Sequence, residues 1–141
     1  MKVLLLMLLI TYSLNYNAAN AVAYAKQWWN GYNPAYNNYN GSGGDCANFV
    51  SQCLIAGGQS LSGCSTDGKG CVPGVSNLKS CLTKKGWKSK IGYTNKFKAG
   101  YPFFTNDLDA MLATVVSGKD IIFCGHSGDR CDKQTSGDQY T

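Results

Sequence analysis

Apolar residues recur at helical spacing in one short stretch, between the glycine pairs at 43–44 and 57–58. The spacing i, i+3, i+4, i+7 and i+8 places these residues on one helix face: Cys46, Phe49, Val50, Cys53 and Leu54. Asp45 is a suitable N-cap, and Gly57 suits the left-handed position that often follows a helix. The pattern therefore predicts a short helix with Cys46 in its first turn, on the side that faces the core.

Three further helices are predicted from the same periodicity, over 14–29, 76–85 and 105–117. The third has the clearest boundaries, because Thr105 can serve as its N-cap and Gly118 can end it. Together with the helix of Cys46, these segments predict a largely helical chain up to that glycine.

The strand signals are weaker than the helix signals. An apolar run over 120–123 predicts a short strand, and a second strand-like segment over 87–93 would turn three aromatic or aliphatic side chains inward: Trp87, Ile91 and Tyr93. The polar, glycine-rich segments 30–44 and 59–74 are predicted to be surface loops. After residue 123 the chain is polar, and one strand cannot bury a sheet. We therefore expect the sheet to be truncated, as in a fragment of a longer protein.

The predicted position of Cys46 has chemical consequences. The unpaired N–H groups at a helix N-terminus favour thiolate over thiol, and they can also bind a developing oxyanion. Cys46 is therefore a candidate nucleophile. The alternative is a buried or disulfide-bonded cysteine that happens to lie at the start of a helix.

Four short runs of residues resemble the putative amidase domain family: 23–29, 32–36, 44–52 and 56–58. The most specific run is GDCANFVSQ around Cys46. That family is similar to the papain-like cell-wall amidases and peptidases of the CHAP and NlpC kind. The resemblance implies an α+β fold of papain-like type, with a helical layer followed by an antiparallel sheet. It also implies hydrolysis of amide bonds by a Cys-His pair, with Cys46 as nucleophile and with no metal or organic cofactor.

The chain contains one histidine, His126, which follows the predicted strand by three residues. As the partner of Cys46, it would take the thiol proton and later protonate the leaving amine. In the family, however, the catalytic histidine begins the strand after the next loop, so His126 does not match that position. The alternative is a loop histidine between two cysteines.

Other polar and aromatic residues near Cys46 are candidates for supporting roles. Tyr32, Tyr36 and Tyr39 lie in the loop that leads to Cys46, and they could line a substrate cleft or merely pack the loop down. Asn48 and Gln52 are four residues apart on the predicted helix. We expect them to brace neighbouring loops by hydrogen bonds.

The length of the chain indicates one domain, and its N-terminus indicates secretion. Residues 1–13 read as a secretory signal, with Lys2 before an apolar run over 3–10, and 14–141 as the domain. Cleavage after Ala21 and an uncleaved anchor are the alternatives.

Without Lys2 the chain has 12 basic and 8 acidic residues, a net charge of +4. Lysines cluster over 79–98, which could favour an anionic polymer such as a bacterial wall but is more simply a solvated surface.

Seven cysteines in a secreted chain leave at least one unpaired: Cys46, Cys53, Cys64, Cys71, Cys81, Cys124 and Cys131. One nucleophile and three disulfide bonds would account for all of them. The pairs suggested by loop lengths are Cys64–Cys71, Cys124–Cys131 and Cys53–Cys81. No metal site is predicted, because the chain lacks paired CxxC motifs and has a single histidine.

These observations favour a secreted, monomeric cysteine hydrolase that cleaves amide bonds through a thioester at Cys46, with peptide or peptidoglycan-like material as its substrate. Two alternatives remain. The first is a catalytically inactive, secreted carbohydrate- or peptide-binding module on the same scaffold. The second is a disulfide-rich structural protein in which Cys46 is already paired. No nucleic-acid partner is expected, and no membrane association after signal cleavage.

Overall fold

The computed structural model describes residues 16–92, 94–105, 109–118, 120–126, 128–133 and 138–141. In these ranges three helices precede a six-stranded antiparallel sheet. The helices are α1 (Ala18–Trp28), α2 (Cys46–Ala56) and α3 (Val75–Lys84). The strands are β1 (Ser89–Ile91), β2 (Pro102–Phe104), β3 (Ala110–Ser117), β4 (Asp120–Gly125), β5 (Arg130–Lys133) and β6 (Asp138–Tyr140). The α+β class is therefore confirmed.

Helix α2 is the centre of the helical layer, as its apolar periodicity predicts. Eight of its eleven residues are buried, because α1, α3, β3 and β4 pack around it. Its ends differ from the prediction. Asp45 is the N-cap residue but makes no side-chain cap bond, and the left-handed residue is Gly58 (φ 90°) rather than Gly57 (φ −79°). Gly57 is instead a point of close approach, since a Cβ there would lie 2.5 Å from the Tyr16 ring.

The predicted helix over 105–117 is wrong, because Ala110–Ser117 forms strand β3. The first five residues of β3 are buried, so both faces of the strand are apolar and no alternation marks it. A continuous apolar run of this kind also contains helical spacings. The β-branched residues Thr114, Val115 and Val116 favour the extended form.

The expectation of a single strand after residue 118 is also wrong. Strands β5 and β6 are polar in sequence, and pairing places them in the sheet, whose order is β1-β6-β2-β3-β4-β5. Strand β6 lies between β1 and β2, with Gln139 and Tyr140 buried. The expected truncation rested on a single strand in this region, and that premise does not hold.

The sheet has apolar residues on both faces. One face packs against the helices. The other, which we call the outer face, carries a smaller core: Phe97, Phe103, Met111, Ala113, Ile121 and Phe123. Part of the strand-like segment over 87–93 is confirmed as β1. Trp87 is buried as predicted, but Ile91 is 81% exposed at this sheet edge, and Tyr93 lies outside the described residues.

Two disulfide bonds are present. Cys124–Cys131 is confirmed and joins paired positions of β4 and β5, with Cα atoms 4.0 Å apart. The other predicted pairs are wrong, because Cys64 bonds to Cys81 and thereby ties the loop after α2 to α3. Cys46, Cys53 and Cys71 are free thiols. The paired Cys46 expected of a disulfide-rich structural protein is therefore not found.

The predicted signal segment, residues 1–13, lies outside the described residues. Among the residues that are described, no helix combines the length and apolar character needed to span a bilayer.

Candidate active site

Cys46 is half-buried at the first position of α2, where it packs against the core between the helices and the sheet. Burial raises the pKa of its thiol, and the negative charge of Asp109 adds to this effect. The backbone N–H groups of Ala110, Ala47 and Cys46 itself act in the opposite direction, because they stabilise the thiolate. The net result is a raised pKa. The N–H cradle expected at this helix N-terminus is thus present, but it does not outweigh burial.

Ala110, the first residue of β3, faces Cys46 from the sheet. Its backbone N–H is directed at the thiol, and its side chain belongs to the core on the helix side of the sheet. Ala110 is fully buried. The start of β3 is therefore the closest approach of the sheet to the thiol that the structure shows, and the side chain there is a methyl group.

His126 lies just after β4, as predicted, and both nitrogens of its ring are occupied. Nδ1 is 2.5 Å from Oδ2 of Asp45, and Nε2 is 2.8 Å from the backbone oxygen of Trp28. A carboxylate oxygen and a carbonyl oxygen can only accept hydrogen bonds. With both oxygens accepting, both nitrogens donate, so these contacts favour the imidazolium form of His126.

The electrostatics of His126 agree with its hydrogen bonds. Burial alone would lower its pKa, but the hydrogen bonds to Asp45 and Trp28 and the charge of Asp45 raise the pKa above its ordinary value. The ring is also enclosed between Phe49 and Tyr32, at centroid distances of 4.2 and 4.5 Å. No hydrogen bond joins Cys46 to His126, although the structure describes both residues.

The raised pKa of His126 gives a pH dependence of stability. In the unfolded chain the imidazole titrates near about 6.5. Because the folded pKa is higher, the stabilisation is complete below about 6.5 and is lost as the pH rises through the folded value. We expect the free energy of unfolding in urea to fall over that interval. A His126→Gln variant should lack this decrease, and an identical decrease in that variant would contradict the assignment.

Asp45 is the centre of a buried network, rather than a helix cap. Its Oδ1 accepts hydrogen bonds from the backbone N–H of Tyr39 at 2.8 Å and from Nδ2 of Asn48 at 2.9 Å. Asn48 also donates to the backbone oxygen of Asn37 at 2.7 Å. On the same helix, Oε1 of Gln52 accepts a hydrogen bond from the Tyr24 hydroxyl at 2.6 Å. The predicted bracing of a neighbouring loop is confirmed for Asn48, whereas Gln52 is bonded to helix α1, to which Tyr24 belongs.

The three candidate tyrosines are not gathered around Cys46 by the contacts the structure shows. Tyr32 lies against His126 and donates to Oδ1 of Asp129 at 3.2 Å. Tyr39 donates to Oδ2 of Asp67 at 2.8 Å and so fastens its loop to the next one. Tyr36 lines an open cleft of about 510 Å³ together with residues 58–62. Their predicted role in substrate binding stays a prediction.

Two residues of this site were missed in the sequence. Asp45 was assigned only a capping role, and its pairing with His126 joins residues 81 positions apart. Ala110 was placed inside a predicted helix, where nothing distinguished it. A buried histidine calls for a carboxylate partner, and this requirement is the one signal that could have drawn attention to Asp45. Within the described residues, no group of three or more His, Cys or acidic side chains is placed to hold a metal ion.

Comparison with known proteins identifies the family of this chain. The model of the putative amidase domain family matches residues 15–107, which are 93 of the chain's 141 residues. The chain belongs to that family. The match includes Asp45 and Cys46 and ends before Ala110 and His126. The family's description indicates amide hydrolysis as the general class of reaction.

One curated relative is the uncharacterized protein YhbB of Bacillus subtilis, which is 43% identical over 58 residues. The alignment covers 41% of this chain and 18% of that protein, so the chain spans less than a fifth of the relative's length. No solved structure matches the chain.

Proposed function

We propose that this protein is a secreted module of the amidase family that binds peptide amides at Cys46 and does not cleave them by itself at neutral pH. The observation that carries the proposal is the occupation of both His126 nitrogens by Asp45 and Trp28. A general base needs a free lone pair within reach of the thiol proton. The sequence contains no other histidine.

The surroundings of Cys46 support recognition of an amide without activation of the thiol. The backbone N–H groups of Ala110 and Ala47 stabilise negative charge on the sulfur, and N–H groups of this kind can also donate to the carbonyl oxygen of an amide. Burial and the charge of Asp109 keep the thiol protonated. The preferred ligand is a peptide of the bacterial cell wall, which follows from the family resemblance. Secretion accords with the two disulfide bonds, since such bonds persist mainly in oxidising compartments.

The reactivity of Cys46 tests this proposal. We expect alkylation by iodoacetamide to become half-maximal at or above pH ~8.5, the range of an ordinary thiol. Mass spectrometry of peptides locates the label, and the Cys46→Ala variant corrects for Cys53 and Cys71. Calorimetric titration with a wall-derived peptide should show binding, with no release of amine on long incubation. Efficient alkylation below pH 7, or turnover that is lost in Cys46→Ala, would overturn the proposal.

A second candidate function is hydrolysis through a thioester at Cys46. The three N–H groups around the sulfur favour it, because they could stabilise a tetrahedral oxyanion. For that reaction the general base would be a group other than the imidazole of His126. The turnover measurement above distinguishes the two functions, because only hydrolysis releases an amine in a Cys46-dependent way.

A further inference from the structure

Charge is distributed unevenly along this chain. No acidic residue occurs between Asp67 and Asp107, whereas eight lysines do: Lys69, Lys79, Lys84, Lys85, Lys88, Lys90, Lys96 and Lys98. A long lysine-rich segment is usually a solvated surface. Its meaning therefore depends on whether the fold spreads these lysines or collects them.

The fold places two of them on the outer face of the sheet. Lys90 of β1 pairs with Gln139 of β6, which pairs in turn with Phe103 of the outer core. Side chains of directly paired residues lie on the same face, so Lys90 is on the outer face. The backbone of Lys88 exchanges two hydrogen bonds with Thr141, which extends the ladder and puts Lys88 on that face too.

Two more lysines belong to the segment 94–98, which covers part of the same outer face. The backbone N–H of Thr94 donates to Oε1 of Gln139 at 3.0 Å, which fastens this segment over β6. Phe97 is buried in the outer core, with its ring 6.2 Å from that of Phe123. Lys96 and Lys98, on either side of Phe97, are exposed. We call Lys88, Lys90, Lys96 and Lys98 the lysine patch.

No ion pair with a described residue neutralises the lysine patch. The acidic residues Asp129 and Asp132 lie at the opposite edge, next to or in β5. The β5 edge also carries Arg130 and Lys133 and is therefore balanced in charge, whereas the lysine patch is uniformly basic. Such a charge distribution orients the molecule so that its β1 edge approaches an anionic partner first.

We propose that the lysine patch binds a linear phosphodiester polymer, a polyol phosphate of the teichoic-acid type. Lysine ammonium groups bind phosphates as compact point charges, which suits single phosphates spaced along a chain, whereas arginine's planar fork makes paired bonds to one carboxylate or one phosphate. The chain's only arginine, Arg130, is at the other edge and near Asp132. Two pairs of lysines, each two residues apart, present repeated charges to a flexible chain. This surface is separate from the Cys46 site and does not depend on its chemistry.

Three alternative roles for the lysine patch require different surroundings. Lysines on an edge strand can simply prevent edge-to-edge aggregation. A membrane surface is usually bound with apolar side chains next to the basic ones, but the exposed Ile91 alternates with Lys90 and so points to the opposite face. Sequence-specific binding of duplex DNA commonly uses arginine for base contacts, and none is present in the lysine patch; non-specific binding of DNA by lysines alone is distinguished by the test below.

The test is binding of purified glycerol-phosphate teichoic acid to the whole chain, measured by calorimetry. A variant with Lys90→Gln, Lys96→Gln and Lys98→Gln is compared with a matched control, Lys26→Gln, Lys69→Gln and Lys84→Gln. All six side chains are exposed. Both variants lose three charges, so net charge affects them equally. We expect affinity to fall roughly tenfold in the first variant and little in the control, with wild-type binding weakening as salt is raised.

Several outcomes would overturn the proposal. Equal losses in the two variants would indicate attraction by net charge alone. Absence of binding, with self-association of the first variant, would show that these lysines only protect the sheet edge. Tighter binding to phosphatidylglycerol vesicles or to duplex DNA than to the polymer would assign the surface to a membrane or to nucleic acid. Tighter binding to polyglutamate would assign it to carboxylates.

Discussion

Replacing Asp45 with alanine is expected to lower the free energy of unfolding by about 3–5 kcal/mol, which is the usual effect of breaking a buried ion pair. Asp45 is 1% exposed and accepts hydrogen bonds from His126, Tyr39 and Asn48. Its removal leaves a buried imidazole without its counter-charge and two donors without an acceptor. Urea denaturation well below the ordinary pKa of histidine, which the folded protein raises further for His126, measures the loss.

The matched control is Asp132→Ala. Asp132 is also an aspartate near a basic side chain, with its Oδ1 3.6 Å from Nε of Arg130, but its side chain is 47% exposed. Surface pairs of this kind contribute little. The Asp45→Ala penalty should also shrink as the pH rises, because a neutral imidazole loses less without its partner. A loss equal to that of Asp132→Ala, or independent of pH, would show that Asp45 and His126 do not act as an ion pair.

Introducing histidine at position 110 is expected to raise the reactivity of Cys46 at pH 6.5 by about tenfold or more. Ala110 faces the thiol from the start of β3, and its side chain lies in the same layer as Cys46. An imidazole next to a cysteine accepts the thiol proton, and the imidazolium that forms stabilises the thiolate and so lowers the pKa of the thiol. The rate of alkylation at Cys46, followed by mass spectrometry, measures the effect.

Ala110→Gln is the matched control, because glutamine is of similar size and does not titrate. Ala110 is fully buried, so a larger side chain should destabilise the fold by about 1–3 kcal/mol, and thermal unfolding of both variants shows whether they remain folded. Addition of free imidazole to the unmodified protein is a second test that avoids this cost. Unchanged reactivity in both tests would mean that the thiol is limited by burial rather than by the missing base.

The two predictions test different properties of this site: the first concerns the stability of the fold, and the second concerns the reactivity of the Cys46 thiol. Asp45 and His126 connect α2, the loop before it and the end of β4, so we expect their loss to appear in stability. Cys46 and Ala110 meet at the start of α2, so changes there should appear in thiol reactivity. A protein that hydrolyses amides with a base from elsewhere would show turnover without the Ala110→His substitution.

Helix α2 and its polar contacts could be predicted from the sequence, because their causes are local. The apolar periodicity places Cys46 at the first turn, and the four-residue spacing places Asn48 and Gln52 on one side of the helix. The pairing of Cys124 with Cys131 was also accessible, since a short loop separates them. Strand β3 could not be predicted. A segment that is buried on both faces is apolar at successive positions, and that composition fits a helix as well as a strand.

The sequence by itself determined the α+β composition, the position of the candidate nucleophile and the family to which the chain belongs. Only the tertiary structure decided which residues surround that nucleophile and which of its neighbours pair with each other. Asp45 and His126 are 81 residues apart, and the approach of β3 to α2 depends on long-range packing. Side-chain spacing reports which residues share one helix or strand face. It carries no information on which elements meet, and for that reason a histidine expected near Cys46 is bound to Asp45 instead.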